Sequence, residues 1–178
     1  IPAPCWVSYV EMVKLAEGVS RVIRTGIEQD FKINAAQLEA AITPKTRAIV
    51  LCAPSNPTGS VYSKTELKAL ADVLAKYPNI IIIADEIYEH INYVGKHESI
   101  AQFENVRDRV VIINGVSKAY AMTGWRLGWM AAPQWIASAC NKLQGQYTSG
   151  PSSIAQKAAE AAYLGDQQCV EDMRKAFM

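Results

Sequence analysis

The chain has 178 residues, half of them hydrophobic and a fifth charged, with a net charge of +1. That length suffices for one domain with a sizeable core, and the near-neutral balance offers no electrostatic footprint for nucleic acid or an anionic membrane. No apolar run approaches the ~20 residues of a membrane span. In chain order, "VSRVI" (Val19–Ile23) predicts a strand and a helical period starts at Ala35. "RAIVLCA" (Arg47–Ala53) predicts the next strand. In "SKTELKALADVLAKY", Ser63 and Glu66 make a capping box, and Leu67, Leu70, Ala71 and Leu74 form a buried stripe. Strands follow in "NIIIIAD" (Asn79–Asp85), "RVVIIN" (Arg109–Asn114) and "RLGWMAA" (Arg126–Ala132). One helix follows Pro133, and another runs from Ser152 to a stop at Gly165.

Continuous Ile/Val runs suit strands buried on both faces, so their alternation with helices predicts an α/β layer fold with a largely parallel sheet. No repeat, linker or low-complexity tract divides residues 1–178. The start "IPAPCW" has no initiator Met, basic n-region or signal h-region, as expected of a piece of something longer. Cysteines 5, 52, 140 and 169 form no CxxC pair and have no histidine at ligand spacing. Reduced thiols in a cytoplasm fit better than zinc or a disulfide framework, and no metal is expected. His90 and His97 are expected on the surface or in ordinary packing.

Ligands of such sheets bind beyond the carboxyl ends of the strands, which directs attention to three strand ends. The first is "CAPSNPTGS", where Pro54, Pro57 and Gly59 shape a turn and hold Asn56 at the mouth of the sheet. A plain Asn-Pro turn is the simpler alternative. A cis Asn56–Pro57 bond is expected, since such a bond costs little. The second end is "IIIIADEIYEH", which places Asp85 at the end of an apolar strand with Tyr88 three residues on. Asp85 could equally be a helix N-cap. The third is "VVIINGVSKAYAMTGWRLGWM", which holds only two charges, Lys118 and Arg126, in a stretch without acids from Arg109 to Ala159. A buried cation without a partner is costly, so the partner must come from elsewhere in the fold or from a ligand. A lysine so placed suits a desolvated Schiff-base nucleophile, and Arg126 suits a fork-shaped phosphate donor. Two ordinary snorkelling cations remain the alternative. Neither G-x-G-x-x-G, G-x-x-x-x-G-K-[ST] nor G-x-S-x-G occurs, which removes the common nucleotide and serine-hydrolase readings.

Taken together, "PAPCWVSY", "NPTG", "ADEIY" and "SKAYAMTGWRLG", in this order and at these gaps, resemble the large domain of class I aminotransferases. The resemblance covers essentially the whole chain, and "KLQGQYTSGPSSIAQ" points to the bacterial aspartate (and prephenate) subgroup. It implies a three-layer α/β sandwich of the aspartate aminotransferase type, with residues 1–178 as a partial cofactor-binding large domain. It also implies pyridoxal 5'-phosphate as cofactor, amino acid and 2-oxo acid substrates, and a cytoplasmic homodimer.

By the same resemblance, Lys118 would form the Schiff base and then serve as the base at the substrate α-carbon. Asp85 would pair with the ring nitrogen and keep it protonated. Tyr88 and Asn56 would hydrogen-bond the phenolic oxygen of the cofactor, Arg126 would hold the phosphate, and Trp6 would stack on the ring. Many relatives carry a phosphate-binding hydroxyl where this chain has Gly115, and Ser117 would contribute instead. The glycine-rich phosphate loop and the arginine for the substrate α-carboxylate have no counterpart, as expected of part of an enzyme roughly twice as long or more. A β-lyase using the same cofactor and lysine is the nearest rival. A non-catalytic cofactor-binding regulator is another, disfavoured by the lack of a basic recognition helix.

Overall fold

β-Branched runs supply the strands and capped amphipathic segments supply the helices. The computed structural model describes residues 1–178. In chain order the elements are β1 (Pro2–Ala3), α1 (Ser8–Leu15), β2 (Ile23–Arg24), α2 (Ala35–Ala41), β3 (Ala48–Cys52) and α3 (Lys64–Ala75). They continue with β4 (Ile81–Asp85), α4 (Glu104–Arg107), β5 (Val110–Gly115), β6 (Gly128–Ala131), α5 (Gln134–Tyr147), α6 (Ser153–Leu164) and α7 (Gln168–Ala176). Strands β3, β4, β5 and β6 form one sheet in that order, parallel except for β6, which runs antiparallel beside β5. The register sets Cys52 beside Asp85 and Asp85 beside Ile113, so the three strand ends lie in a row. Strands β1 and β2 make a separate parallel pair.

Helix α3 shows how the sequence builds the core. The Ser63 hydroxyl accepts from the Glu66 N–H at 3.3 Å, and the Glu66 carboxylate accepts from the Ser63 N–H at 2.7 Å, completing the capping box. Its stripe of Leu67, Leu70, Ala71 and Leu74 is buried against Ile49, Leu51, Ile82 and Ala84 of the sheet. The helix ends on Arg109, a buried side chain at the start of β5. Its guanidinium donates to the carbonyls of Leu74 (2.9 Å), Tyr77 (2.9 Å) and Ile80 (3.0 Å). A cation there satisfies carbonyls that have no partner inside the helix and complements the helix dipole. Helix α2 starts on a second capping box, Asn34 with Gln37, and α6 runs from the Ser152 cap to Gly165.

Three expectations change. The predicted strand Val19–Ile23 shrinks to Ile23–Arg24, because it pairs only with the two-residue β1 and Val19 is left exposed. The strand predicted from Arg126 begins at Gly128, because Thr123–Trp125 is a 3-10 turn and Arg126 sits in the left-handed region (φ 53°). Burial on both faces of the sheet holds for one face only. The opposite residues Val50, Ile83, Asp85 and Ile113 line a cavity of about 820 Å³ with Trp6, Tyr9, Met12 and Val13. No helix is long and apolar enough to cross a membrane.

Candidate active site

The turn after β3 is tied by Gly59 N–H to Ser55 O (2.8 Å) and Ser55 N–H to Ser60 O (3.0 Å). Gly59 has φ 72°, where a side chain would be strained. The Asn56–Pro57 bond is cis, as expected. The Asn56 amide Nδ2 donates to the Tyr88 hydroxyl at 3.4 Å. That arrangement occupies the phenol as acceptor and leaves its own O–H free to donate. Burial, with Cys52 and Asp85 nearby, pushes the Tyr88 phenol above its ordinary range, so it stays a protonated donor at neutral pH.

Asp85 ends β4, but no helix starts there. Its Oδ1 accepts the Ile87 N–H at 3.2 Å, an Asx-type turn that replaces the capping alternative. Its Oδ2 accepts the Tyr9 hydroxyl at 2.5 Å, a charge-assisted bond to a phenol 76 residues away in sequence. Burial, then Cys52 and Asp85, push the Tyr9 phenol far above its usual range, so it donates at any pH the protein meets. Tyr9 was not singled out from sequence. The only available signal was its place one helical turn after Trp6, and the two rings do pack edge to face at 5.5 Å.

The structure does not merge every predicted residue into one pocket. Trp6 and Asp85 line the large cavity, with Trp6 41% exposed. Ser117 and Lys118 line a separate cavity of about 330 Å³ beside α7. Lys118 reaches the first group through Tyr88, its Nζ lying 5.7 Å from that ring's centre. The expectation that Lys118 and Arg126 are buried is corrected, since both are exposed. Neither has a carboxylate within ion-pair distance, and the Arg126 Nη1 donates to the Thr123 carbonyl at 2.7 Å. The buried cation of this region is Arg109.

Gly115 gains a physical reason. It faces Gly128 across the β5–β6 ladder, and a Cβ on it would lie 2.8 Å from the Gly128 Cα and 3.0 Å from the Leu127 carbonyl. Backbone gives way less easily than a flexible side chain, so a hydroxyl-bearing residue there would require the β5–β6 ladder to shift. Around the strand ends stand an acceptor fixed by two donors and an amide–phenol donor pair, with a primary amine in the adjoining cavity. Such a set could hold a small polar ligand that both donates to a carboxylate and accepts from a phenol.

The model of the family "Aminotransferase class I and II" matches residues 1–178. The chain is 54% identical to an aspartate/prephenate aminotransferase from Nitrosomonas europaea, over 99% of this chain and 45% of that protein. The crystal structure of the aspartate aminotransferase from Rhizobium meliloti superposes with a TM-score of 0.96 at 40% identity, covering 99% of this chain and 44% of that one. An aromatic aminotransferase from Pyrococcus horikoshii does so at 0.92 and 41% identity, covering 98% and 47%. The chain thus spans less than half the length of the relatives it matches. The mostly parallel sheet flanked by helices has the aspartate aminotransferase fold, and the chain belongs to the aminotransferase class I and II family.

Proposed function

We propose that this chain carries the pyridoxal-phosphate site of an aminotransferase that moves an amino group between an amino acid, aspartate by preference, and a 2-oxo acid. The observation that carries the reading is Asp85, held by Tyr9 and Ile87 at the wall of a cavity, with Asn56, Tyr88 and Lys118 at the neighbouring strand ends. When bound, the pyridinium ring supplies the electron sink for charge developing at the substrate α-carbon. The protein does the rest. Asp85 would keep a proton on the ring nitrogen, and Tyr88, backed by Asn56, would donate to the ring oxygen. Lys118 would hold the cofactor through its Nζ, and once the substrate's own amine has replaced it there, the freed Nζ would take and return the proton at the substrate α-carbon. Arg126, with Ser117, would hold the phosphate, and Trp6 would cover the ring face.

The aspartate preference rests on relatives whose names carry that substrate, alongside an aromatic one on the same fold. Four free thiols suit a reducing cytoplasm. Exposed apolar side chains on α5, Trp135, Leu143 and Tyr147, suit burial against more protein, including a second copy in a homodimer. The test is Lys118→Ala in the full-length enzyme, which should lose the absorbance band of the lysine-bound cofactor and all turnover. A borohydride-reducible adduct that persists on the variant would remove Lys118 from this role.

A further inference from the structure

Glu86 is buried beside Asp85, yet nothing in the proposed chemistry uses it. Its N–H donates to the Ile113 carbonyl at 2.9 Å, extending the β4–β5 ladder by one residue. Alternation along a strand turns its side chain away from that of Asp85. There its two oxygens are both taken: Oε1 accepts the Ser99 hydroxyl at 2.6 Å, and Oε2 lies 3.0 Å from His97 Nε2. A carboxylate can only accept, so His97 presents Nε2–H, and its buried Nδ1 has no partner. His97 is thus part-buried, with its ring held by Glu86.

Ser99 also caps the 3-10 turn that begins at the fully buried Ile100, which anchors it to the main core. Glu86 is anchored to the sheet. The carboxylate thus closes the base of the loop 87–98, which carries Tyr88. Inside the loop, Glu89 N–H donates to Glu86 O, Ile91 N–H to Tyr88 O, Ile87 N–H to Asp85 Oδ1 and Val94 N–H to Asn92 Oδ1. From outside it, Asn114 Nδ2 reaches the Glu89 carboxylate, Gln102 Nε2 that of Glu98, and Arg174 Nη1 the Asn92 carbonyl. The loop's far side, at Tyr93 and Val94, is exposed.

We infer that Glu86 is a positioning residue: with His97 and Ser99 it clamps the loop so that Tyr88 meets Asn56 and aims its O–H into the site. The inference rests on the place given to Tyr88 in the proposed function. It assigns to a part-buried Glu–His–Ser cluster a task in the reaction without any contact to substrate or cofactor.

Two measurements on the full-length protein test it. In the cofactor-free state, Glu86→Ala and the milder Ser99→Ala should speed amide hydrogen exchange across residues 87–94 by about tenfold or more, as expected for loss of a buried charge-assisted bond. In the cofactor-bound state, a Tyr88 that no longer donates would leave the anionic ring oxygen less stabilised, so the pH midpoint of the cofactor's absorbance change should rise by about one unit, as it should in Tyr88→Phe. Glu86→Gln keeps the acceptor for Ser99 and should recover part of both effects. In a Tyr88→Phe background the Glu86 substitutions should shift the midpoint no further.

Unchanged exchange in Glu86→Ala overturns the clamp. Faster exchange with an unmoved midpoint, or an equal shift in the Tyr88→Phe background, overturns the action through Tyr88. If Tyr88→Phe itself moves nothing, the role given to Tyr88 fails and the inference falls with it, even where the exchange data show a clamp.

Discussion

Asp85 is the residue on which most depends, because its two oxygens are spoken for by different parts of the chain. If it served only the turn at Ile87, Asp85→Ala would cost about 1 kcal/mol of stability and leave chemistry nearly intact. If it keeps the ring nitrogen protonated, its loss removes the electron sink, and turnover in the full-length enzyme should fall by at least about a thousandfold. The variant should still take up cofactor on Lys118 and remain yellow, since that uptake does not require the sink. Near-normal single-turnover rates at saturating cofactor would restore the purely local role. Tyr9→Phe removes one donor and leaves the carboxylate in place. Its expected effect is smaller, a loss of about ten- to a hundredfold in turnover with the fold intact, from the usual worth of a bond to a charged acceptor. A fully active Tyr9→Phe enzyme would reduce the 2.5 Å contact to packing. Asp85 could be picked out as the end of an apolar run, whereas Tyr9 could not, because their bond joins residues that only the fold brings near.

Among the elements, α3 was the most legible. Its cap, stripe and length stand in contiguous letters, and local hydrogen bonds at three-residue spacing need no tertiary knowledge. Its far end was not legible, because the group that closes it comes from β5. Arg109→Ala should strip the carbonyls of Leu74, Tyr77 and Ile80 of their buried donor and cost about 3 kcal/mol in urea unfolding of the parent protein. Arg109→Lys should recover only part, since one ammonium cannot span the three acceptors that the guanidinium fork reaches. An Arg109→Ala protein as stable as its parent would show those carbonyls to be satisfied by water. Strand β6 was misjudged at its start for a related reason. "RLGWMAA" has strand composition, but the pairing of Gly128 with Gly115 decides where the ladder begins, and Arg126 before it takes a left-handed turn.

Across the whole molecule, buried phenols couple the core to pH. Burial pushes Tyr62 up from about 10 to about 12, even though the Ile33 N–H bonded to its oxygen pulls the other way, and Tyr9 moves in the same direction. A phenol whose folded value lies above its unfolded one holds its proton more tightly in the fold. The stability it contributes is complete below pH 10 and drains away as pH climbs toward 12, by about 2–3 kcal/mol for Tyr62 alone. Melting temperature should therefore drop across that window, and Tyr62→Phe should flatten the drop while lowering the neutral-pH value through the lost bond to Ile33. A wild-type curve level from pH 9 to 12 would contradict this.

The amino-acid sequence by itself determined the α/β class, the order of the main strands and helices, and the strand-end residues Asn56, Asp85, Tyr88 and Lys118, because these follow from local periodicity and from motifs written in consecutive letters. Tertiary structure alone decided that Tyr9 bonds Asp85, that Glu86 meets His97 and Ser99, that Gly115 packs against Gly128, and that Lys118 and Arg126 stand exposed while Arg109 is buried. Each of those outcomes depends on which distant backbone or side chain arrives at a given point, and no local pattern in the chain encodes that arrival.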